Sequence, residues 1–311
     1  MEAHQSVLSP GGSDAEAIAT LGWIMFGGAG AIFLGVISLA VFAHLGGETL
    51  RRRMANGRFV FVGGVIFPAV TLVALLIYGL ILTGARVAAT QADALRIEVT
   101  GEQWWWRVRY PATGGDPDLM SANEIRIPTG RQVEIKLSSA DVIHSFWVPG
   151  LAGKVDMVPG TVNRIRLRAT RPGIYRGQCA EFCGGPHALM AFYVVALEPA
   201  QFENWLAGQR QPAATAFTPL QKQGEGLFLS TGCNACHAIR GTSAAATIGP
   251  DLTHVGGRLS IAAATLPSNA ASFARWIREN QHIKPGNRMP AFGILPDDQL
   301  AALGAYLEAL K

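Results

Sequence analysis

Two long runs of the chain are almost purely apolar. Ile18 to Leu45 and Val60 to Leu82 contain no aspartate, glutamate, lysine or arginine. Each run exceeds the roughly 20 residues that a helix needs to cross about 30 Å of hydrocarbon. The pattern therefore predicts a transmembrane hairpin over 18–87, and the alternative is a pair of buried helices in a soluble protein. Pro68 and the glycines inside the runs are compatible with membrane helices.

Four arginines lie between the two runs, at positions 51–53 and 58. Cytoplasmic loops are enriched in arginine and lysine, so this loop is predicted on the inner side of a bacterial cell membrane. Segment 1–17, everything after the hairpin and both termini would then lie on the periplasmic, outer face. Because the first lysine or arginine is Arg51, a cleaved signal peptide with a basic start is not expected.

After the hairpin the pattern changes from long runs to short alternating segments. Arg96–Val99, Val133–Leu137 and Ile165–Leu167 alternate with the period of two that a half-buried strand requires. Glycine and proline clusters such as Val158–Gly160 provide turns. Residues 88–207 are therefore predicted to form an all-β domain, either a sandwich or a Greek-key barrel, and spacing alone does not choose between them.

The C-terminal region has a helical pattern. Residues 208–219 have the composition of a linker. A stripe of four leucines at helical spacing closes the chain, at positions 300, 303, 307 and 310. We interpret this stripe as the core face of a final helix.

Composition agrees with a membrane part and limits the chemistry. Of the 311 residues, 49% are hydrophobic and only 15% are charged, which is low for a wholly soluble chain. The net charge of +4 is modest, and no basic patch with interleaved aromatics indicates a nucleic-acid partner. The four cysteines occur in two short motifs, which points to metal and cofactor chemistry rather than to structural disulfides.

The stretch from Cys179 to Met190 carries two thiols, an imidazole and a thioether within twelve residues. Soft sulfur ligands with imidazole select copper, zinc or an iron–sulfur centre. Two cysteines four residues apart provide enough sulfur to bridge a pair of coppers, and His144 is the obvious source of a further imidazole. A structural zinc site and a disulfide are the alternatives.

This loop and the segment His144–Pro149 resemble the binuclear copper (CuA) site of cytochrome c oxidase subunit II. The resemblance implies a cupredoxin barrel for the all-β domain. It also implies six ligands, which are Cys179 and Cys183 as bridging thiolates, His144 and His187 as imidazoles, Met190 as a weak thioether, and Glu181 through its backbone carbonyl. The Glu181 side chain would in addition reach a magnesium ion at the border with subunit I.

Three consecutive tryptophans form the other unusual stretch, Trp104–Trp106. The resemblance implies that Trp104 covers the copper site and is the point where electrons enter. The alternative is a strand whose aromatics alternate between core and surface, which we favour for Trp105. Asp156 either matches a family segment that faces subunit I near the magnesium or lies in a solvated turn.

Residues 233–237 read Cys-Asn-Ala-Cys-His, which is the C-x-x-C-H signature of covalent c-type haem attachment. Cys233 and Cys236 would form the thioether bonds, and His237 would be the proximal iron ligand. The order of the surrounding motifs resembles a class I cytochrome c. That resemblance implies an all-α haem c domain over 220–311 with Met289 as the distal ligand.

Other histidines are weaker candidates. His254 and His282 are rivals of Met289 for the distal position, although each is more readily explained as a surface or supporting residue. His4 and His44 have no companion ligands and are interpreted as non-functional.

As a whole, the chain resembles subunit II of a caa-type haem-copper oxidase with a fused cytochrome c domain. The resemblance implies that cytochrome c or a bc complex reduces the haem, and that electrons pass to the copper pair and then to subunit I. There oxygen would be reduced to water with coupled proton translocation. The expected partners are subunit I, the other oxidase subunits and the lipid bilayer.

Two rival functions remain, the CuA subunit of a nitric oxide reductase and a membrane-tethered electron carrier. Between positions 90 and 200 there are eleven acidic and twelve basic residues, so no acidic excess steers a basic soluble donor. This balance suits a protein that carries its donor covalently. One departure from the family is the segment Arg58–Val62, which lacks the acidic residue often linked to proton uptake.

Overall fold

The computed structural model describes residues 5–88, 93–112, 114, 115, 117–216 and 218–311. The chain divides into two compact units. One is Ala17–Ala92, and in the other the N-terminal stretch ending at Glu16 joins Asp93–Lys311. His4, predicted to be without function, lies outside the described residues.

Two helices among the described residues are long and apolar enough to cross a membrane, Ser13–Leu45 and Gly57–Gly84. The helices of this region are α1 Ser13–Leu45, α2 Glu48–Met54, α3 Gly57–Phe61, a π-helical turn Val62–Ile66, and α4 Phe67–Ala88. Their large apolar side chains are exposed on the isolated chain, as expected for helices that lipid solvates. The predicted pair of apolar helices is confirmed.

Local chemistry explains where these helices begin and bend. α1 begins at Ser13, ahead of the apolar run, because two acidic residues in its first turn complement the positive end of the helix dipole. The arginine-rich segment that was predicted as a loop is largely helix α2. There Glu48 and Arg52 form an ion pair one turn apart, at 2.6 Å. Pro68 follows the π-helical turn, where the regular hydrogen-bond ladder is already interrupted.

Within the described residues, ten strands form two five-stranded sheets around one core. The strands are β1 Leu95–Glu102, β2 Trp105–Tyr110, β3 Leu119–Ala122, β4 Glu124–Pro128, β5 Val133–Ser139, β6 His144–Trp147, β7 Lys154–Met157, β8 Asn163–Leu167, β9 Gly173–Cys179 and β10 Ala191–Leu197. The strand orders are β3-β2-β1-β5-β8 and β4-β10-β9-β6-β7. This is a cupredoxin-like β domain, as the resemblance implied.

The alternating segments predicted from the sequence correspond to β1, β5 and β8, which lie side by side in one sheet. β1 pairs in parallel with β5, and β4 pairs in parallel with β10, whereas β8 is antiparallel to β5. In β1, Ile97 and Val99 point into the core and are fully buried, while the intervening Glu98 is partly exposed. The period of two therefore encodes one buried face.

The segment before α1 is bound to the β domain. The Gly11 amide donates to the Gly150 carbonyl at 2.7 Å, and the Ser13 amide donates to the Arg168 carbonyl at 3.1 Å. Gly12 forms an antiparallel bridge with Ala169. The start of α1 is thus held at the edge of this domain.

The C-terminal region is mainly helical. It contains α5 Pro199–Gln209, α6 Pro219–Ser230, α7 Ala270–Ile283, α8 Asp297–Ala309 and the short strands β11 Ser260–Ile261 and β12 Leu266–Pro267. α5 packs on the β domain, where the rings of Trp205 and Tyr110 are 5.6 Å apart. The other three helices surround a second core, in which the four stripe leucines are buried as predicted.

The predicted linker runs along the helical domain. Residues 211–216 belong to no helix or strand. The Ala213 amide donates to the Arg240 carbonyl at 2.9 Å, and the Arg240 guanidinium donates to the carbonyls of Gln209 and Gln211. Arg240 therefore ties this segment to the domain that follows it.

Candidate metal and haem centres

Strand pairing brings together the parts of the first centre. Cys179 is the last residue of β9 and His144 is the first residue of β6. β6 and β9 are antiparallel neighbours, with Phe146 opposite Cys179. The two side chains therefore meet although 35 positions separate them in the sequence. The loop after β9 then returns Cys183, His187 and Met190 to the same place.

The six predicted copper ligands converge on the two thiols. The Cys179 and Cys183 sulfurs are 3.7 Å apart. Cys179 Sγ lies 3.8 Å from His144 Nδ1 and 3.2 Å from the Glu181 carbonyl oxygen. Cys183 Sγ lies 3.5 Å from His187 Nδ1 and 3.7 Å from Met190 Sδ. Each thiol thus has one imidazole and one weaker donor.

This donor set fits a pair of coppers. Disulfide sulfurs are about 2.05 Å apart, so the observed separation is that of two free thiols. A structural zinc site is a closed set of four ligands, whereas here two sulfurs lie between two imidazoles with two further donors. Soft thiolate and imidazole ligands around a central sulfur pair suit copper.

The surroundings of the two thiols separate their pKa values. Contact with the Cys183 thiol and with His144 lowers the pKa of Cys179 despite burial. The same contact and the neighbouring negative charge raise the pKa of Cys183. Thiols bind metals as thiolates, so Cys183, whose pKa is raised, would lose its proton when a metal binds.

Asp141 orients His144 and was not identified from the sequence. Its Oδ1 atom lies 2.8 Å from His144 Nε2, which leaves Nδ1 directed at the Cys179 sulfur. Burial would raise the pKa of Asp141, but hydrogen bonds from the Gln103 amide and His144 outweigh burial and lower it. Gly101 makes room for the ring, because a β-carbon there would lie 2.8 Å from the His144 imidazole. A carboxylate three residues before the histidine was the only available signal.

The three tryptophans have different surroundings. Trp104 Nε1 donates to the Cys183 carbonyl at 2.9 Å, next to the thiol pair. Trp105 is partly exposed, and the Arg107 guanidinium carbon lies 4.6 Å from the centre of its ring. Trp106 is fully buried in the core. Alternation along the strand therefore accounts for Trp105 and Trp106. Trp104 contacts the loop that carries the two thiols, and its role in electron entry stays a prediction.

The haem motif lies on a short turn after α6. His237 Nδ1 is 2.8 Å from the Pro250 carbonyl, so Nε2 is the nitrogen available to iron. Burial lowers the pKa of His237, which favours the neutral imidazole that a metal needs. Gly249 packs against the ring, where a β-carbon would lie 2.6 Å from it. Cys233 and Cys236 are free thiols, and together with His237 they line one cavity.

Met289 lines the same cavity as His237. Its sulfur accepts a hydrogen bond from Trp276 Nε1 at 3.2 Å, and its amide donates to Asn287 at 3.0 Å. The rival histidines point elsewhere. His254 Nε2 lies 3.1 Å from the Gln211 carbonyl, and His282 is exposed on α7. The cavity therefore has the thiols, imidazole and thioether that a c-type haem requires.

The haem cavity is closed by the β domain. Trp104, Trp105 and Asn123 line the same cavity as Cys236 and Met289. Two residues of this wall, Gln103 and Trp104, also donate hydrogen bonds to the Cys183 carbonyl in the thiol-bearing loop. This arrangement could not be inferred from the haem motif, because its second wall comes from a different domain.

The Glu181 side chain is also a predicted magnesium ligand. Among the described residues, the cluster of metal-binding side chains consists of His144, Cys179 and Cys183, and the Glu181 carboxylate is not part of it. Asp156 Oδ1 accepts a hydrogen bond from Ser145 Oγ at 2.8 Å. Glu181 as a magnesium ligand stays a prediction.

Two family models match the chain. Residues 112–197 match the periplasmic domain of cytochrome c oxidase subunit II, and residues 221–311 match cytochrome c. The first match covers strands β3 to β10 of the β domain, and the second covers the helical domain.

Proteins named cytochrome c oxidase subunit 2 match over longer stretches. The protein from Alkalihalophilus pseudofirmus is 40% identical over 70% of this chain and 62% of its own length. That from Bacillus subtilis is 30% identical over 90% of this chain and 82% of its own length. That from Bacillus sp. strain PS3 is 32% identical over 79% of this chain and 74% of its own length.

The chain contains, in this order, two apolar helices, a cupredoxin-like domain with a thiol–imidazole cluster, and a helical domain with a haem attachment motif. The two family matches occur in the same order. The chain therefore belongs to the cytochrome c oxidase subunit II family, as a subunit of a haem-copper oxidase with a cytochrome c domain at its C-terminal end.

Proposed function

We propose that this chain is the subunit that receives electrons for a terminal cytochrome c oxidase. When bound, haem c and the copper pair would supply reversible one-electron chemistry. Electrons would pass from an external donor through these two centres to subunit I. Oxygen reduction to water and proton translocation belong to subunit I and not to this chain. The contact of Trp104 with both the haem cavity and the copper loop carries this proposal.

The chain's own residues hold and insulate the two centres. We propose Cys179, Cys183, His144 and His187 with Met190 and the Glu181 carbonyl for copper. For haem c we propose Cys233, Cys236, His237 and Met289. Buried aromatic rings around the thiol pair, Trp106 among them, exclude water and limit ligand movement. A rigid, dry site suits a centre that changes oxidation state without rearrangement.

The proposed topology places both centres outside the bacterial cell membrane. In this view segment 1–17 precedes the hairpin 18–87, the copper domain is 88–207, the linker is 208–219 and the haem domain is 220–311. The arginines at positions 51–53 and 58 favour an inner location for the hairpin loop. The hydrogen bonds that tie residues 11–13 to the β domain support an N-terminus on the same side as that domain.

The proposed partners follow from this topology. Subunit I would accept electrons from the copper pair and would share a magnesium ion with Glu181. Phe182 supports such a contact, because it is 75% exposed beside the copper ligands. Cytochrome c or a bc complex would be the external donor.

Metal analysis and gas consumption test the proposal together. The purified membrane complex should contain two coppers and one haem c per copy of this chain in addition to the haems and the copper of subunit I. It should consume oxygen with reduced cytochrome c as the donor. Consumption of nitric oxide but not oxygen would assign the chain to a nitric oxide reductase. Zinc in this chain, or no copper beyond that of subunit I, would refute the CuA assignment.

A further inference from the structure

The haem domain is held on the β domain by side chains that bind backbone atoms. The Arg107 guanidinium donates to the carbonyls of Thr247 and Ile248 at 3.0 and 3.1 Å. The Arg126 guanidinium donates to the Gly257 carbonyl at 3.0 Å. Such contacts specify one docked geometry, because backbone carbonyls cannot change rotamer.

Lys284 makes the corresponding contact from the haem domain. It lies at the end of α7, and only 2% of its surface is exposed. Its Nζ donates to the Trp104 carbonyl at 2.7 Å and to the Ala262 carbonyl at 3.2 Å. Burying a lysine amine is costly unless it is hydrogen-bonded, so its position needs a structural reason.

A constrained loop is attached to the same amine. Ala262, Ala263 and Ala264 all have positive φ angles of 54–60°, a region that alanine rarely adopts. The Ala263 carbonyl accepts a hydrogen bond from the Ala191 amide at 3.3 Å, next to the copper ligand Met190. The loop therefore keeps its shape only while its contacts persist, and Lys284 provides one of them.

The residue that Lys284 binds connects the two centres. The Trp104 ring lines the haem cavity, and its Nε1 donates to the carbonyl of Cys183. Gly286, two residues after Lys284, packs on the same ring, where a β-carbon would lie 3.4 Å away. Lys284 thus holds the backbone of Trp104 while the adjacent turn covers its side chain.

We propose that Lys284 is a positioning residue that fixes Trp104 between the haem cavity and the Cys183 carbonyl and so sets the rate of electron transfer between the two centres. The inference rests on the proposed function. In the step concerned, one electron leaves the haem and one electron reduces the copper pair. Lys284 itself is neither oxidised nor reduced.

The test compares Lys284→Met with wild type in the intact complex. Methionine keeps the apolar stem but cannot donate to the two carbonyls. We expect faster amide hydrogen exchange in peptides that cover 258–266 and 101–107. After photochemical reduction of the haem, transfer to copper should be at least tenfold slower, with unchanged spectra of both centres. Lys222→Met, an exposed lysine on α6, is the matched control and should resemble wild type in both measurements.

A double-mutant comparison separates positioning from a general structural role. In a Trp104→Phe background, Lys284→Met should slow transfer less than twofold further, because its effect acts through Trp104. An undiminished effect there would overturn the proposal. If Lys284→Met loses haem or copper, Lys284→Leu, which also has no donor, provides the same comparison.

The two proposals fail in different ways. Absence of haem-to-copper transfer in wild type would refute the proposed function. Normal transfer in wild type, with Lys284→Met equal to it in both exchange and rate, would refute only the role of Lys284.

Discussion

Single residues at the copper centre act through hydrogen bonds as much as through ligation. His144 can direct Nδ1 at Cys179 because Asp141 binds its other nitrogen. Burial alone would lower the pKa of His144, but its hydrogen bonds to Cys179 and Asp141 raise it. The carboxylate therefore makes the ring a better donor to a metal and also fixes its orientation.

We expect Asp141→Asn to weaken copper binding by about 10–100-fold, the range typical when a group that orients a metal ligand is changed. The amide oxygen accepts a weaker hydrogen bond than the carboxylate does, so the imidazole is held less firmly. Competition with a copper chelator, followed by the copper spectrum, measures the change.

Asp118→Asn is the matched control. Asp118 is a surface carboxylate that binds Arg109 at 2.6 Å, away from the metal ligands. Equal copper retention in the two variants would show that Asp141 has no special role.

Met289→Ala should lower the haem reduction potential, by on the order of 0.1 V or more, because a thioether ligand stabilises reduced iron. The covalent attachment at Cys233 and Cys236 should persist, so haem content stays at one per chain. Potentiometric titration of the haem band measures the shift. An unchanged potential would point to His254 or His282 as the distal ligand.

At the scale of secondary-structure elements, close packing between helices shapes the haem domain. In the helical domain α6 packs against α8 at Gly224, where a β-carbon would lie 2.1 Å from the Ala302 carbonyl. The absence of a side chain is therefore what allows these helices to approach. Their contact supports the core beneath the haem motif.

We expect Gly224→Ala to destabilise the haem domain by about 1–3 kcal/mol, the usual cost of overpacking. Gly226→Ala on the same helix is the control, because its β-carbon would meet nothing within 4 Å. It should instead stabilise the helix by roughly 0.5–1 kcal/mol. Denaturant unfolding followed at the haem band, on the detergent-solubilised chain, distinguishes them. Equal unfolding midpoints for the two variants would contradict close packing of α6 against α8 at Gly224.

At the scale of the unit that contains both domains, most contacts between the domains use neutral acceptors. The guanidinium groups of Arg107 and Arg126 and the amine of Lys284 donate to backbone carbonyls. The buried Glu124 carboxylate also accepts from the Leu259 amide, at 2.7 Å. Among the described residues, one long ion pair, Arg288 with Asp141 at 4.0 Å, crosses the interface, but Arg288 is largely exposed. Exposed pairs contribute little and are screened by salt.

Haem-to-copper transfer should therefore change less than about twofold between roughly 50 and 500 mM salt, since screening acts on exposed charges. Oxidation of an added soluble cytochrome c in the same samples provides the comparison, because its encounter with the complex depends on long-range charge. Flash-induced reduction of haem, followed at the copper band, measures the internal step. A tenfold fall at high salt would indicate docking through charge pairs.

The sequence by itself determined the parts of this protein that depend on local order. Three features can be identified from the sequence because the relevant residues are neighbours in the chain. They are the apolar runs long enough for a bilayer, the strands with a period of two, and the cysteine motifs. Cys179, Cys183 and Met190 occupy one loop, so their spacing alone indicated a sulfur-rich metal site. Covalent haem attachment likewise needs only the five positions 233–237.

Only the tertiary structure decided how these parts meet. The pairing of β6 with β9 brings His144 to Cys179, and a hydrogen bond then assigns a role to Asp141. Trp104 and Lys284 come together across 180 positions of sequence. Contacts at such separations leave no periodic pattern in the chain, because they depend on the packing of whole elements and not on the spacing of neighbouring residues.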